Sequence, residues 1–274
     1  MFVRTEITIP EFQSAIRDYF NSYGRSFPWR ETRDPYRVLV SEVMLQQTQT
    51  DRVVPRYVSW LSSFPDVQSL AQASFDTVLS NWVGLGYNRR AKYLHETART
   101  IAGEFDGVFP EDPQALQKLP GVGHYTANAV STFSFNRPNV FIETNIRSVY
   151  LFFFFSDREK VPEPEIMRRI EDTLDHEDPR TWYYALMDYG ADLKKRVPNP
   201  NRQAASYTRQ SRFEGSARQA RGCILRYLAR EKNGTATAIA NHEGIAVERI
   251  LGVIPDLVRE GMVHERDGFY SVGY

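Results

Sequence analysis

Cysteine is nearly absent from this sequence: Cys223 is the only one among 274 residues. An internal disulfide needs two cysteines and a multi-cysteine metal site needs more, so both are excluded. No run of 18 apolar residues occurs, which excludes a membrane-spanning helix of ordinary length. The first residues, MFVRTEITIPEF, lack the apolar core of a signal peptide. These absences predict a cytoplasmic protein that does not interact with a membrane.

Net charge is also absent, because 34 basic side chains balance 34 acidic ones. Neutrality by itself argues mildly against nucleic acid as a partner. The charges are segregated, however: residues 193–222 hold eight Lys or Arg and one acid, and residues 163–180 hold seven acids and three bases. Such segregation produces either a basic face that binds phosphates or a solvated loop without a ligand, and composition leaves both interpretations open.

Hydrophobic periodicity predicts that the first two hundred residues are helical, with no run of alternating strands. The predicted helices are 10–23, 36–46, 53–61, 75–82, 90–105, 112–118, 124–135, 145–155, 164–174 and 180–190. The run Phe152–Phe155 is expected to pack in the core.

The last sixty residues have a different pattern. Helices are predicted around Ile224–Leu228, over 235–241 and over 246–259, and residues 262–272 alternate around an Asp-Gly turn that is typical of a hairpin. Three helices closed by a hairpin predict a small winged-helix-like domain. We therefore expect domains at 1–193 and 216–274, joined by an extended basic linker at 194–215 that wraps the first domain.

The string LPGVGHYTA at 119–127 places two glycines between two predicted helices. A helix that starts there exposes unpaired backbone N–H groups, which bind phosphate well, although an ordinary interhelical turn would look similar from the glycines alone. The whole string resembles the helix-hairpin-helix motif of the endonuclease III and MutY superfamily of DNA glycosylases. The resemblance implies backbone contacts to DNA from Leu119, Gly121, Val122, Gly123 and Thr126.

The resemblance continues in order over roughly residues 10–195. The strings FPWR (27–30), DPY (34–36), SEVMLQQTQ (41–49), WVGLGY (82–87) and ALMDYGA (185–191) are similar to the adenine glycosylase branch. This implies a mainly α fold, with two helical lobes, a base pocket between them and, here, the small winged-helix-like domain at the C-terminus.

Glu42 lies in the apolar string VLVSEVML. A carboxyl group in such a helix is expected to be partly desolvated, which raises its pKa and lets it act as a general acid. The resemblance implies that Glu42 protonates the purine and so improves the leaving group. Without the motif, a surface glutamate would be the simpler interpretation.

Glu143 stands where the family has an aspartate that stabilises the cationic sugar or positions water. Chemistry with two carboxyl groups and an oxocarbenium-like transition state is common to glycosyl transfers. Glutamate keeps the charge but is one methylene longer, so the pocket is either rebuilt around it or less effective. The resemblance also implies that Asn145 holds this carboxylate or the DNA backbone.

Tyr125 occupies the position at which bifunctional members of the superfamily carry a Schiff-base lysine. Tyrosine cannot form a Schiff base, which predicts a monofunctional enzyme that leaves an abasic site. Tyr125 packs either against the flipped nucleotide or in the protein core.

Further DNA contacts are implied for two loops and for the basic segment. Gln46 and Gln47, followed by Thr48, resemble the wedge that fills the space of the flipped base; Tyr87 matches a residue that contacts the opposite strand. For Gln46, Gln47 and Tyr87 the alternative is a polar loop residue. The remaining predicted contacts are Arg30, Lys194, Lys195, Arg196, Arg202, Arg209 and Arg212.

Two departures from the family matter. The cysteines that hold a [4Fe–4S] cluster in many members are missing after Gly190, so no cofactor is expected. The larger C-terminal domain that reads 8-oxoguanine in adenine glycosylases is also missing. The sequence therefore predicts a monomeric, nucleoid-associated glycosylase acting on double-stranded DNA, with adenine opposite guanine or 8-oxoguanine preferred. A thymine or uracil glycosylase acting opposite guanine, and a non-catalytic DNA-binding protein, stay open as alternatives.

Overall fold

The computed structural model describes residues 7–208 and 212–273, and most of them are helical, as predicted. The helices are α1 (Ile9–Tyr23), α2 (Pro35–Leu45), α3 (Thr50–Ser63), α4 (Val67–Gln72), α5 (Phe75–Trp82), α6 (Arg89–Glu104), α7 (Pro113–Leu116), α8 (His124–Phe135), α9 (Thr144–Phe154), α10 (Glu163–Thr173), α11 (Pro179–Arg196), α12 (Ala217–Glu231), α13 (Ala236–Glu243), α14 (Val247–Leu251) and α15 (Ile254–Arg259). None of the helices in the described part of the chain combines the length and apolarity needed to span a bilayer.

The chain divides into two units that are each discontinuous in sequence. The first takes in the described chain up to Val38, then Glu111–Gln117, then the chain from Gly123 to residue 208; the second takes in Leu39–Pro110, Lys118–Val122 and the described chain from residue 212. The division differs from the predicted limits at 193 and 216, because the C-terminal helices and hairpin group with the helices of 39–110.

In the first unit, α11 packs along α9 and α1. Its core is aromatic: the ring of Phe12 contacts those of Tyr150, Phe154 and Trp182 at centroid distances of 5.3, 4.9 and 5.9 Å. The predicted core role of the phenylalanine run is confirmed for the buried Phe155, whereas Phe153 is partly buried, with its ring 5.2 Å from that of Phe12. The helix predicted over 180–190 extends six residues further, to Arg196, so the irregular chain begins at Val197 and not at the predicted linker start, residue 194.

In the second unit, α4 and α5 pack against α6, and Trp60 and Trp82 meet edge to face at 5.5 Å. Helix α4 is absent from the prediction because its six residues are too few to show a period. The C-terminal part has the predicted winged-helix order with one difference: the helix expected over 246–259 is two short helices, α14 and α15, with Pro255 in the first turn of α15. Proline lacks the N–H that a continuous helix would need there.

The predicted hairpin is confirmed. Strands β2 (Val263–Arg266) and β3 (Phe269–Val272) pair antiparallel with Val263 opposite Val272, and β1 (Asn233–Gly234) adds to the other side of β3. The turn consists of Asp267 and Gly268, which both have positive φ (54° and 77°). Two such residues match the right-handed twist of the strands, and an Asp-Gly pair adopts this turn readily.

Salt bridges attach the C-terminal helices to the helical part of the second unit. Glu260, just after α15, is paired with Arg89 of α6 and with Arg221 of α12. Lys232 Nζ donates to Asp76 Oδ2 at 2.7 Å. The winged-helix-like part therefore contacts the helices of 39–110 and groups with them in this unit.

Candidate active site

A carboxylate begins helix α9. The side chain of Glu143 caps the helix, because its Oε1 accepts the backbone N–H groups of Asn145 and Ile146 at 2.7 and 2.8 Å. The usual capping residues are shorter, and glutamate reaches the same amides by folding back. Its other oxygen, Oε2, accepts from Asn145 Nδ2 at 3.2 Å. Glu143 and Asn145, both chosen from the sequence, are thus brought together at one helix start.

Two further helical segments close this helix start. Lys194 of α11 donates from Nζ to Asn145 Oδ1 at 2.8 Å. Gly190, one turn earlier on the same face, allows the close approach, because a Cβ at this position would collide with the Asn145 backbone. Asn201 donates from Nδ2 to Thr144 O at 3.1 Å. The segment after α11 therefore folds over α9, as the predicted wrapping linker would.

The electrostatics of Glu143 reflect opposing effects. Burial raises the pKa of its carboxyl group above the ordinary value, while the two backbone N–H groups and the charges of Lys194 and Arg147 act to lower it. Arg147 is itself paired with Glu163 of α10 at 2.6 Å. Such a site can hold a carboxylate near a cationic transition state, where a positioned charge has its largest effect.

Glu42, the predicted general acid, is buried in α2. The residue is only 6% exposed and its neighbours Ser41, Val43 and Met44 are also buried, which confirms the expected desolvation. Its role as the proton donor stays a prediction.

The guanidinium of Arg90 joins the two loops that the sequence assigned to DNA. From Nη1 it donates to the carbonyl oxygens of Val43, Met44 and Gln46 at 2.7, 3.0 and 2.7 Å. From Nη2 it donates to Thr48 Oγ1 and to the carbonyl oxygens of Leu85 and Gly86. Burial lowers its pKa to about 10, so it is cationic at neutral pH. Arg90 therefore fixes the wedge loop relative to the turn that carries Tyr87.

Both loops carry a residue in the left-handed region. Gln47 has φ 57° and Tyr87 has φ 48°, a conformation that costs non-glycine residues free energy and that persists where contacts enforce it. Tyr87 is 37% exposed, and its hydroxyl accepts a hydrogen bond from Arg218 of α12 at 2.6 Å. The structure thus brings Gln46, Gln47, Thr48 and Tyr87 together around Arg90.

The hairpin at 119–123 has the geometry that its glycines suggested. Gly121 has φ 69°, and a Cβ there would collide with the side chain of Tyr93. Among the described residues, no side chain caps the start of α8. Gly121 and Gly123 are exposed, whereas Leu119, Val122 and Thr126 are buried. The exposed backbone of Gly121 and Gly123 is therefore open to a DNA contact at this motif.

A family model described as "HhH-GPD superfamily base excision DNA repair protein" matches residues 40–175. The chain belongs to this HhH-GPD superfamily. It is similar to adenine DNA glycosylases from Buchnera aphidicola subsp. Baizongia pistaciae (33% identical, over 66% of this chain and 52% of the relative), Mycolicibacterium smegmatis (42%; 49% and 46%) and Homo sapiens (37%; 52% and 28%). The chain spans about half the length of the two bacterial relatives.

Solved structures give the same fold. A thermostable thymine-DNA glycosylase matches with a TM-score of 0.60 and 26% identity, over 67% of this chain and 86% of that one. A non-covalent endonuclease III–DNA complex matches with a TM-score of 0.55 and 18% identity, over 66% and 85%, which shows the fold alone.

Within this HhH-GPD chain, two of the predicted phosphate contacts lie in internal networks. Arg30 is paired with the buried Asp188 at 2.8 Å, together with Arg25, and its guanidinium lies 4.4 Å from the ring centre of Tyr184. Lys194 is bound to Asn145. The sequence shows that both side chains are charged. It does not show which way their helices face, and so it does not show that both side chains have partners inside the protein.

The other basic residues of the predicted footprint are placed differently. Lys195, Arg196, Arg202 and Arg212 are exposed, although Arg196 pairs with Asp192 at 2.9 Å, and Arg209 lies outside the described residues. Tyr125 is partly buried, with its ring edge to face with Phe141 at 5.8 Å. The sequence assigned no role to Arg90, which links the two loops, although an arginine next to an apolar helix face was the available signal.

Proposed function

We propose that this protein is a monofunctional adenine DNA glycosylase of base-excision repair. The observation that carries the proposal is the carboxylate of Glu143, held at the start of α9 by two backbone amides and the Asn145 side chain. The names of the bacterial and human relatives favour adenine as the excised base.

In the proposed reaction, the bond between C1′ and the adenine nitrogen breaks, and the electron pair leaves with the base. Glu42 donates a proton to a ring nitrogen, which improves the leaving group. Glu143 stabilises the positive charge on the sugar and accepts the proton of the water that adds to C1′. Solvent then restores the protonation of both groups, and the products are adenine and an abasic site.

The substrate is tested with labelled duplexes containing A·8-oxoG, A·G, T·G or U·G, followed by alkaline cleavage of abasic sites. We expect strand breaks at A opposite 8-oxoguanine and guanine. Cleavage at T or U instead would support the second candidate, a thymine or uracil glycosylase, which the similarity to the thymine-DNA glycosylase favours. Binding without any base release would support a non-catalytic DNA-binding protein.

Tyr125 supports the monofunctional part of the proposal, because a phenol does not form a Schiff base with the sugar. Breaks should therefore appear only after alkali or an endonuclease. A covalent protein–DNA adduct trapped by borohydride in good yield would contradict this.

We also propose that the protein works without an iron–sulfur cluster, because one thiol cannot supply four ligands. The purified protein should be colourless and free of iron. Broad visible absorption with stoichiometric iron would contradict the proposal.

DNA binding through phosphates should weaken steeply with salt. Each neutralised phosphate contributes about 0.9 to the logarithmic slope. We propose that the exposed Lys195, Arg202 and Arg212 contribute to this phosphate binding. We also propose that the protein acts as a monomer and that it is nucleoid-associated, because DNA is its substrate. An unchanged slope after reversal of these three charges would place the footprint elsewhere.

A further inference from the structure

Lys194 was expected at the DNA backbone, and the structure places it elsewhere. It is partly buried in the last turn of α11, and its ammonium donates to Asn145 Oδ1 at 2.8 Å. The next residue, Lys195, is exposed. Two adjacent lysines thus occupy different environments.

The contact with Lys194 determines which way the Asn145 amide faces. An amide has one oxygen that accepts and one nitrogen that donates, and an ammonium can only donate. With Oδ1 bound to Lys194, Nδ2 is directed to Glu143 Oε2 at 3.2 Å. A reversed amide would lose both hydrogen bonds.

The charge of Lys194 acts on Glu143 as well. Burial lowers the pKa of Lys194, and the charge of Glu143 partly offsets that effect. Arg147 also faces Glu143, but it is paired with Glu163, which reduces its effect. Lys194 is therefore a cation that reaches this carboxylate through one intervening side chain, that of Asn145.

We propose that Lys194 is a positioning residue for Glu143, which orients the carboxylate through Asn145 and provides the positive charge that it faces. This inference rests on the proposed function, in which Glu143 must be ionised to stabilise the sugar cation. Lys194 then contributes to turnover without touching the DNA.

The first test needs no turnover. The carboxyl ¹³C resonance of Glu143, assigned by its loss in Glu143→Gln, is titrated in the wild type and in Lys194→Met, Lys194→Gln and Lys194→Arg. We expect the midpoint to move to higher pH in the Met and Gln variants and to stay near the wild-type value in the Arg variant, which keeps the charge. Lys195→Met, the matched control, should leave the midpoint unchanged. Melting temperatures verify folding, and the Gln and Arg variants serve if Met does not fold.

The second test uses single-turnover base release across pH. In the plot of rate against pH, Lys194→Met should move the acidic limb, where the rate falls as pH falls, to higher pH. It should also lower the rate at pH 6 by about tenfold to hundredfold, as misplacement of a reacting group does. Its salt slope for DNA binding should equal the wild-type slope. Lys195→Met should lower the salt slope by about 0.9 and leave the acidic limb in place.

A wild-type Glu143 titration in both Lys194→Met and Lys194→Gln, with a reduced salt slope, would overturn the proposal and make Lys194 a phosphate contact. A shifted titration in a protein that releases no base from any duplex would have a different meaning. The coupling between Lys194 and Glu143 would stand, and the proposed function would fail.

Discussion

Replacing Arg90 by methionine removes a guanidinium that donates from Nη1 and Nη2 to six acceptors and from Nε to Tyr87 O. The bonds to Val43 O and Met44 O are buried, and the one to Gln46 O is partly buried. Hydrogen bonds to a charged group contribute about 1.5–3 kcal/mol each. For the three acceptors of Nη2, water can replace part of that contribution. Nη1 carries two N–H groups that its three acceptors share, which suggests a loss of about 3–6 kcal/mol from a total stability of about 5–15 kcal/mol.

Urea unfolding at pH 7 measures this loss for Arg90→Met, with Arg99→Met, on the exposed face of the same helix, as the control. Arg90→Lys should fall between the two, because an ammonium keeps the charge but cannot span both loops. If the variants fold, the wedge and the Tyr87 turn should lose their fixed positions, and base release should slow more than DNA binding weakens. A loss below about 1 kcal/mol for Arg90→Met would refute the reasoning.

Two further predictions concern ion pairs that hold each unit together. Asp188→Asn should destabilise the protein by about 3 kcal/mol, because Arg30 would be left without its partner. Burial acts to raise the pKa of Asp188, but the opposite effect of Arg30 and Arg25 is larger. The pKa therefore lies below its ordinary value of 3.8. The stabilisation by this ion pair is thus present above pH 3.8 and is lost as the pH falls through the lower pKa of the folded state. The melting temperature of Asp188→Asn should therefore fall less steeply with acid than that of the wild type. An unchanged acid dependence of the melting temperature would contradict the assignment. Glu260→Gln should speed hydrogen exchange in α12 but not in α9. The control Glu265→Gln, at an exposed residue, should change exchange in neither helix. An equal effect of Glu260→Gln on α12 and α9 would contradict the anchoring role of Glu260.

Much of the helical framework could be predicted from periodicity, because α1, α5, α6 and α10 each present an apolar face over two or more turns. The break between α14 and α15 could have been predicted from Pro255. Helix α4 could not, since six residues show too little of a period.

The carboxylates of the candidate site could be identified from the sequence, but the partners of its cations could not. Glu42 and Glu143 were found through the family strings, and their burial depends on packing that the strings encode only indirectly. Lys194 and Arg30 were assigned by charge, and which partner a long cationic side chain reaches is a tertiary property. Gly190 and Lys194 lie four residues apart, so the same helix face could have suggested that Lys194 points inward.

The central claim is that Glu143 stabilises the sugar as adenine leaves. The most direct measurement is single-turnover adenine release from the A·8-oxoG duplex by the wild type, Glu143→Gln and Glu143→Asp. The account predicts that Gln lowers the rate by about 10²–10³ with DNA affinity retained. It also predicts that Asp is slower than the wild type, because the amides and Asn145 are arranged around the longer side chain. Release by Glu143→Gln at the wild-type rate would contradict the account.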